Sequence, residues 1–256
     1  MKNTADFTPS ALVQVPEQLF YTTDKELVPP TLPEIHIPNE LERETDPAIV
    51  LSIIHKLLHE QRRLPKWDRE TKETDTDHSY AVSMYVSYYL DRHYPDDPEL
   101  DESEVKNFAE IHDWPEILVG DTVTLGMTEA DYQLKQAHEQ GAVAALVDLL
   151  HRKGLSDYAD RIERYEAQSS RSAKFVKAVD KLTPALVDLS GDGMSAMIEH
   201  GVRSVEQLRV AYECDRERFE RRFGNDFPEL LSEYERVNTE WIRRFNAIRD
   251  LGHYSI

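Results

Sequence analysis

The chain is short of several things, and each shortage excludes a class of protein. It has a single cysteine, Cys214, in 256 residues. That rules out an intramolecular disulfide framework and any thiolate-rich zinc or iron–sulfur centre, so a metal here must be held by histidine and carboxylate. It is poor in positive charge: 30 Lys and Arg stand against 49 Asp and Glu, a net charge of −19. Such a field repels a polyphosphate backbone and an anionic membrane surface, which excludes a nucleic-acid polymer and a membrane as partners. No apolar run approaches the roughly 18 residues of a membrane span. The opening MKNTADFTPS has neither a basic nor an apolar leader region, so the expectation is a soluble, unexported, cytoplasmic protein. What is present suffices for a core: hydrophobic residues make up 40% of the chain, with 12 Tyr, 8 Phe and 3 Trp. The mean hydropathy of −0.60 puts the abundant charge on the surface.

The length suits one or two domains. Residues 1–45 carry Pro16, Pro29, Pro30, Pro33 and Pro38 with little periodicity and read as an extended or disordered arm. Asp46 and Pro47 supply an N-cap and a first-turn proline, after which Ile49, Ile53 and Leu57 follow at helical spacing. Further helices are predicted over about Asp77–Arg92, Ser103–His112, Thr128–Gly154 and Ser156–Ser170. Another runs from Ser172 with Pro184 bending or ending it, then Ser204–Gly224 and Pro228–Asp250. No convincing alternating strand is visible. The fold class is all-α: residues 46–190 form a principal helical domain, and 191–256 form a helical extension packed on it.

Some polar residues occupy apolar helix positions. His78 shares a stripe with Val82, Tyr85 and Tyr89; His112 shares one with Val105, Phe108 and Ala109; Asp180 follows Ala173 and Val176. Burying an unpaired ionisable group costs several kcal/mol, so each needs a partner. With Asp113, the neighbour of His112, they offer two imidazoles and two carboxylates, a set that suits one divalent cation. Pro115 cannot continue the helix, so the chain turns after His112 and Asp113, which lets both reach one ion. Glu116 lies four residues after His112, and Asp121 follows Gly120 in a turn.

The order His78, His112-Asp113, Asp180, with the segment IHDWPEILVGDTVT, resembles the HD-domain metal-dependent phosphohydrolase superfamily. Within it the chain is most similar to the 5′-deoxynucleotidase-like branch, whose doublet runs HDxxExxxGDxxT. Arg63 and Pro65 before Glu73, Asp77 and His78, the pair Lys135 and Glu139, and YEAQSSRSAKFVKAVDKL at 165–182 extend the likeness over about 55–185. The resemblance implies an HD-domain helical bundle in which His78, His112, Asp113 and Asp180 bind one divalent metal ion. Mn or Co would best support activity, with Mg, Zn or Fe as alternatives. It implies that Glu116 orients or deprotonates the attacking water, that Asp121 serves acid–base work or substrate placement, and that Arg63 contacts the substrate phosphate. The implied activity is hydrolysis of a phosphate monoester, a nucleoside (deoxy)5′-monophosphate or a related small ester, by a homodimer. Where the branch has an aromatic after the arginine, this chain has Leu64, with Trp67 three positions later. Both are candidate sugar or base contacts, and the preference for deoxyribose is open.

Two alternatives remain at this stage. His138 and His151 lie between the doublet and Asp180, where binuclear HD phosphodiesterases and di-iron oxygenases carry extra ligands. A non-catalytic scaffold with a structural metal is the other. His55 and His59 have the spacing of a zinc pair but no Glu between them, Arg216, Arg218, Arg221 and Arg222 alternate with acids as on a solvated face, and Cys214 reads as a packed small residue.

Overall fold

The computed structural model describes residues 32–45, 47–65, 71–122, 124–190, 197 and 202–250. The packed chain begins earlier than the proline pattern suggests. Residues 1–31 lie outside the described residues, but α1 (Asn39–Arg43) buries Leu41 completely. Arg152 then clamps Glu42 with two contacts of 2.9 and 3.0 Å. Ile35 also packs closely on Gly141, where a Cβ would stand 3.3 Å from its side chain.

Helix α2 (Ala48–His59) buries Ile49, Ile53 and Leu57, one face at the expected spacing. Asp46, the expected cap, lies outside the described residues, and Pro47 occupies the N-cap. The expectation of no strand needs correcting: β1 (Gln61–Pro65) and β2 (Lys72–Thr74) form an antiparallel ribbon, with Gln61 opposite Thr74 and Pro65 opposite Lys72. Their inward positions hold Arg62 and Glu73, 8% and 3% exposed. The apolar–polar alternation that normally marks a half-buried strand is therefore missing.

The ribbon leads into α3 (Asp75–His93), which is fixed by a capping box between Thr74 and Asp77. Asp101 caps α4 (Glu102–Ile111), and α5 (Glu116–Val119) starts behind Pro115. The Thr128 side chain caps α6 (Glu129–Arg152), Gly154 closes the turn with φ +78°, and α7 (Ser156–Glu166) returns. Helix α8 (Arg171–Ser190) continues past Pro184, expected to bend or end it, so the proline does not end the helix. Proline lacks the N–H that would bond the carbonyl of Asp180, but packing overrides the local penalty. Leu182 and Thr183 are fully buried, and Trp241 Nε1 donates to Ala185 O at 3.1 Å.

Ser204 caps α9 (Val205–Phe219), which passes through a π-helical turn, Glu220–Gly224, before α10 (Pro228–Asp250). The core is continuous from Leu41 to Phe245. Tyr94 just after α3, Phe175 of α8 and Phe227 before α10 pack edge to face with centroids 5.4–5.7 Å apart, so the last helices share the core of the first ones. Apart from the ribbon the fold is all-α. Among the described residues no helix is long and apolar enough to cross a membrane.

Candidate metal centre and its cavity

Helices α3, the end of α4 and α8 bring His78, His112, Asp113 and Asp180 together. One ligand atom from each lies within 4.8 Å of the others, and all four residues are buried. His78 Nε2 stands 3.0 Å from Asp180 Oδ1. His112 Nε2 stands 3.2 Å from Asp113 Oδ1 and 3.8 Å from Asp180 Oδ1. The His112 ring is oriented from behind, since its Nδ1–H donates to Ala109 O at 2.9 Å. That leaves Nε2 as the lone-pair nitrogen, buried and without a hydrogen-bond partner, the arrangement of a metal-ligating histidine. Trp114 stacks on Tyr158 of α7 at 5.2 Å, which pins the turn carrying the doublet.

The electrostatics agree. Burial alone would raise both aspartates, but His112 and His78 hold the Asp113 carboxyl below the usual range, and Lys181 and Lys177 hold Asp180 well below it. Burial, with Arg62 nearby, pushes His78 down toward its neutral form. For His112 burial is outweighed by Asp113, which raises it. Two imidazoles and two ionised carboxylates in a buried cluster fit a divalent cation of borderline hardness.

A group of buried acids adjoins the cluster, gathered around an arginine that the sequence did not single out. Arg62 lies among Glu73, Asp75, Asp113, Glu116 and Asp121, with N–O distances of 3.5–3.7 Å. Burial works against its charge, but Asp121, Asp113 and Glu116 hold it firmly protonated. One guanidinium cannot satisfy so many acids. Burial chiefly pushes Glu73 up to about 7 and Asp75 up to about 8, and burial with Asp113 drives Glu116 well above its usual range. Glu116 and Asp121 are thus brought to the cluster as expected. Arg63 and Leu64 lie on β1, but their side chains, like the whole of Trp67, lie outside the described residues. Nothing in an Arg-Arg doublet says that Arg62 is the one to meet these acids. Asp75 was equally hidden, as the first residue of α3 in an acidic run.

These groups open on a cavity of about 130 Å³, which is also lined by Lys135, Lys177 and Lys181. The α8 lysines flank Asp180, with Lys181 Nζ 3.1 Å and Lys177 Nζ 3.7 Å from its Oδ2, and Lys135 pairs with Glu139. Lysines either side of the expected ligand were the available signal for this cationic wall. His138 and His151 do not join the four-residue cluster, and His151 is exposed and bonded to Ser156 Oγ at 3.1 Å. The His55 and His59 Nε2 atoms lie 3.2 Å apart on the exposed face of α2, and neither lines the cavity. Arg218 departs from the solvated-face expectation. It is 8% exposed and bonds Asp215 at 2.7 Å, whereas Arg216 pairs with Glu213 and Glu220 at the surface.

The profile of the HD-domain family matches residues 54–222, more than half of the chain, and the chain belongs to that family. The match runs past residue 190 into α9, a helix that the sequence assigned to the C-terminal extension. The chain is also 28% identical over 131 residues to 5′-deoxynucleotidase HDDC2 of Bos taurus, across 49% of this chain and 60% of that one. The Xenopus laevis counterpart matches equally, over 61% of its length. The chain therefore spans about three fifths of the length of these curated relatives. A crystal structure of a predicted metal-dependent phosphohydrolase from Magnetospirillum magnetotacticum superposes with a TM-score of 0.57 at 25% identity, covering 77% of this chain and 93% of the other. The resemblance to HD phosphohydrolases thus holds in sequence and in fold.

Proposed function

We propose that the protein is a metal-dependent phosphomonoesterase acting on nucleoside 5′-monophosphates or closely related small esters. The observation that carries this reading is one cavity lined by Asp113 and Asp180 of a buried His₂Asp₂ cluster, by Glu116 and Asp121, and by a wall of lysines. A divalent cation held by His78, His112, Asp113 and Asp180, with Mn or Co the first expectation, would acidify water and neutralise phosphoryl charge. With that positive charge beside it Glu116 would ionise, despite the burial that raises it, and take the proton from the attacking water. As the water oxygen bonds to phosphorus the ester P–O bond would break, the proton held by Glu116 would pass to the leaving oxygen, and Asp121 would place the substrate. Lys135, Lys177 and Lys181 offset the charge of the phosphate, with Arg63 as the bidentate phosphate contact that the family resemblance implies. Leu64 and Trp67 would border the sugar, and the same resemblance makes the working unit a homodimer.

The test is phosphate release from nucleoside 5′-mono- and triphosphates by apo protein reloaded with Mn, Co, Mg or Zn, beside Glu116→Ala. The expected result is release from monophosphates that needs both metal and Glu116. No release with any metal, from protein that still binds one ion, would overturn the reading.

A further inference from the structure

The cavity continues beyond the groups that metal chemistry needs. Its far wall is built by the end of α8 and by the C-terminal helices, through Asp188, Tyr212 and Tyr234. Asp188 is 4% exposed with Oδ1 lacking any hydrogen-bond partner, and Tyr212 is 5% exposed with its hydroxyl equally unpartnered. They come from different helices and face the same space, and Asp188 lies close enough to Tyr212 to raise its hydroxyl further. Leaving a buried polar group without a partner is costly, and structures rarely keep one without a reason. Two on one wall point to something that enters the cavity and satisfies them.

We propose that this wall is the recognition subsite for the organic part of the substrate, where Asp188 and Tyr212 hydrogen-bond the donor–acceptor edge of a neutral planar heterocycle such as a nucleobase. The proposal rests on the phosphomonoesterase reading for the other end of the substrate, whose phosphoryl group lies at the metal cluster. The chemistry of the wall selects the class. Burial, with Glu73 adding to it, pushes the Asp188 carboxyl up to about 8, and burial pushes the Tyr212 hydroxyl well up, so both are neutral near pH 7. A protonated carboxyl offers an acceptor and a donor side by side, which matches the adjacent N–H and acceptor of a nucleobase edge. A polyphosphate tail finds no equivalent. Among the described residues α9 and α10 contribute Tyr212, Asp215 and Tyr234 to the cavity and no cation, and Asp215 is committed to Arg218.

Two readouts on the full-length, metal-loaded protein test this. The first compares KM for a nucleoside 5′-monophosphate with KM for p-nitrophenyl phosphate in wild type, Asp188→Asn, Asp188→Leu and Tyr212→Phe. Loss of one such hydrogen bond should raise KM for the nucleotide about three- to tenfold in Asp188→Leu and Tyr212→Phe. It should leave p-nitrophenyl phosphate unchanged, and Asp188→Asn, which keeps a donor and an acceptor, should stay near wild type. The second is calorimetric binding of an unphosphorylated nucleoside, expected in wild type and lost in Asp188→Leu. Equal KM effects on both esters, or no effect on either, would overturn the subsite, as would failure of the nucleoside to bind wild-type protein. Nucleoside binding without hydrolysis of any ester would instead keep the subsite and sink the enzymatic reading.

Discussion

The two ends of the cavity are built on opposite principles. At the metal end, acids and bases are crowded together: Arg62 faces five carboxyl groups, three of them pushed up by burial, and two lysines lean on Asp180. At the far end Asp188 and Tyr212 are buried, neutral and unpartnered. The first end gathers more acids than its own cations can keep ionised and so suits a divalent cation. The second offers neutral polar groups and suits a neutral molecule. A substrate with a charged head and an uncharged, hydrogen-bonding body fits that division, whereas charge alone would not determine its orientation.

If this contrast is right, perturbations at the two ends should differ in kind as well as size. The largest effect is expected from Asp113→Ala. It should abolish stoichiometric metal uptake, read by elemental analysis, and lower turnover beyond the roughly 10²–10³-fold cost of removing one preorganised electrostatic group. Arg62→Met should come next, in stability. Breaking a buried ion network by removing one partner costs about 3–5 kcal/mol, read by denaturant unfolding, and little change would show that the acids simply protonate. Glu116→Gln should lower turnover about a hundredfold or more, as expected for a lost general base, with metal content intact. Loss of metal instead would make Glu116 a ligand.

The smallest effect lies at the far end and has the opposite sign. The fold keeps the Asp188 carboxyl protonated up to about pH 8, whereas an unperturbed Asp ionises near pH 3.8. Between those values the native state binds more protons than the unfolded one, so stability falls as pH rises. Asp188→Leu removes this slope and should be the more stable protein at pH 8, by about 1–3 kcal/mol, the range for relieving an unsatisfied buried group. Parallel stability–pH curves for the two proteins would show that Asp188 is ionised in the fold.

How much of this could be read from sequence follows the same division. His78, His112-Asp113 and Asp180 were legible because ionisable residues stood on apolar helix faces, and Thr128 and Ser204 marked helix starts by their caps. The ribbon was illegible because its buried positions hold Arg62 and Glu73, the reverse of the pattern that reveals a strand. Pro184 could not be read as a helix end, because the local rule ignores Trp241, which lies far along the chain yet bonds the same stretch of α8. Asp188 and Tyr212 carried no signal at all. Each looks ordinary on its own helix, and only the packing of α9 and α10 against α8 turns them toward one space.

The central claim is a single metal centre made by four buried residues, and a titration of apo protein with Co²⁺, followed by its visible absorption, tests it most directly. The account predicts a break at one equivalent per chain that disappears in His112→Ala and persists in His151→Ala. A break at two equivalents, or one that survives His112→Ala, would contradict it.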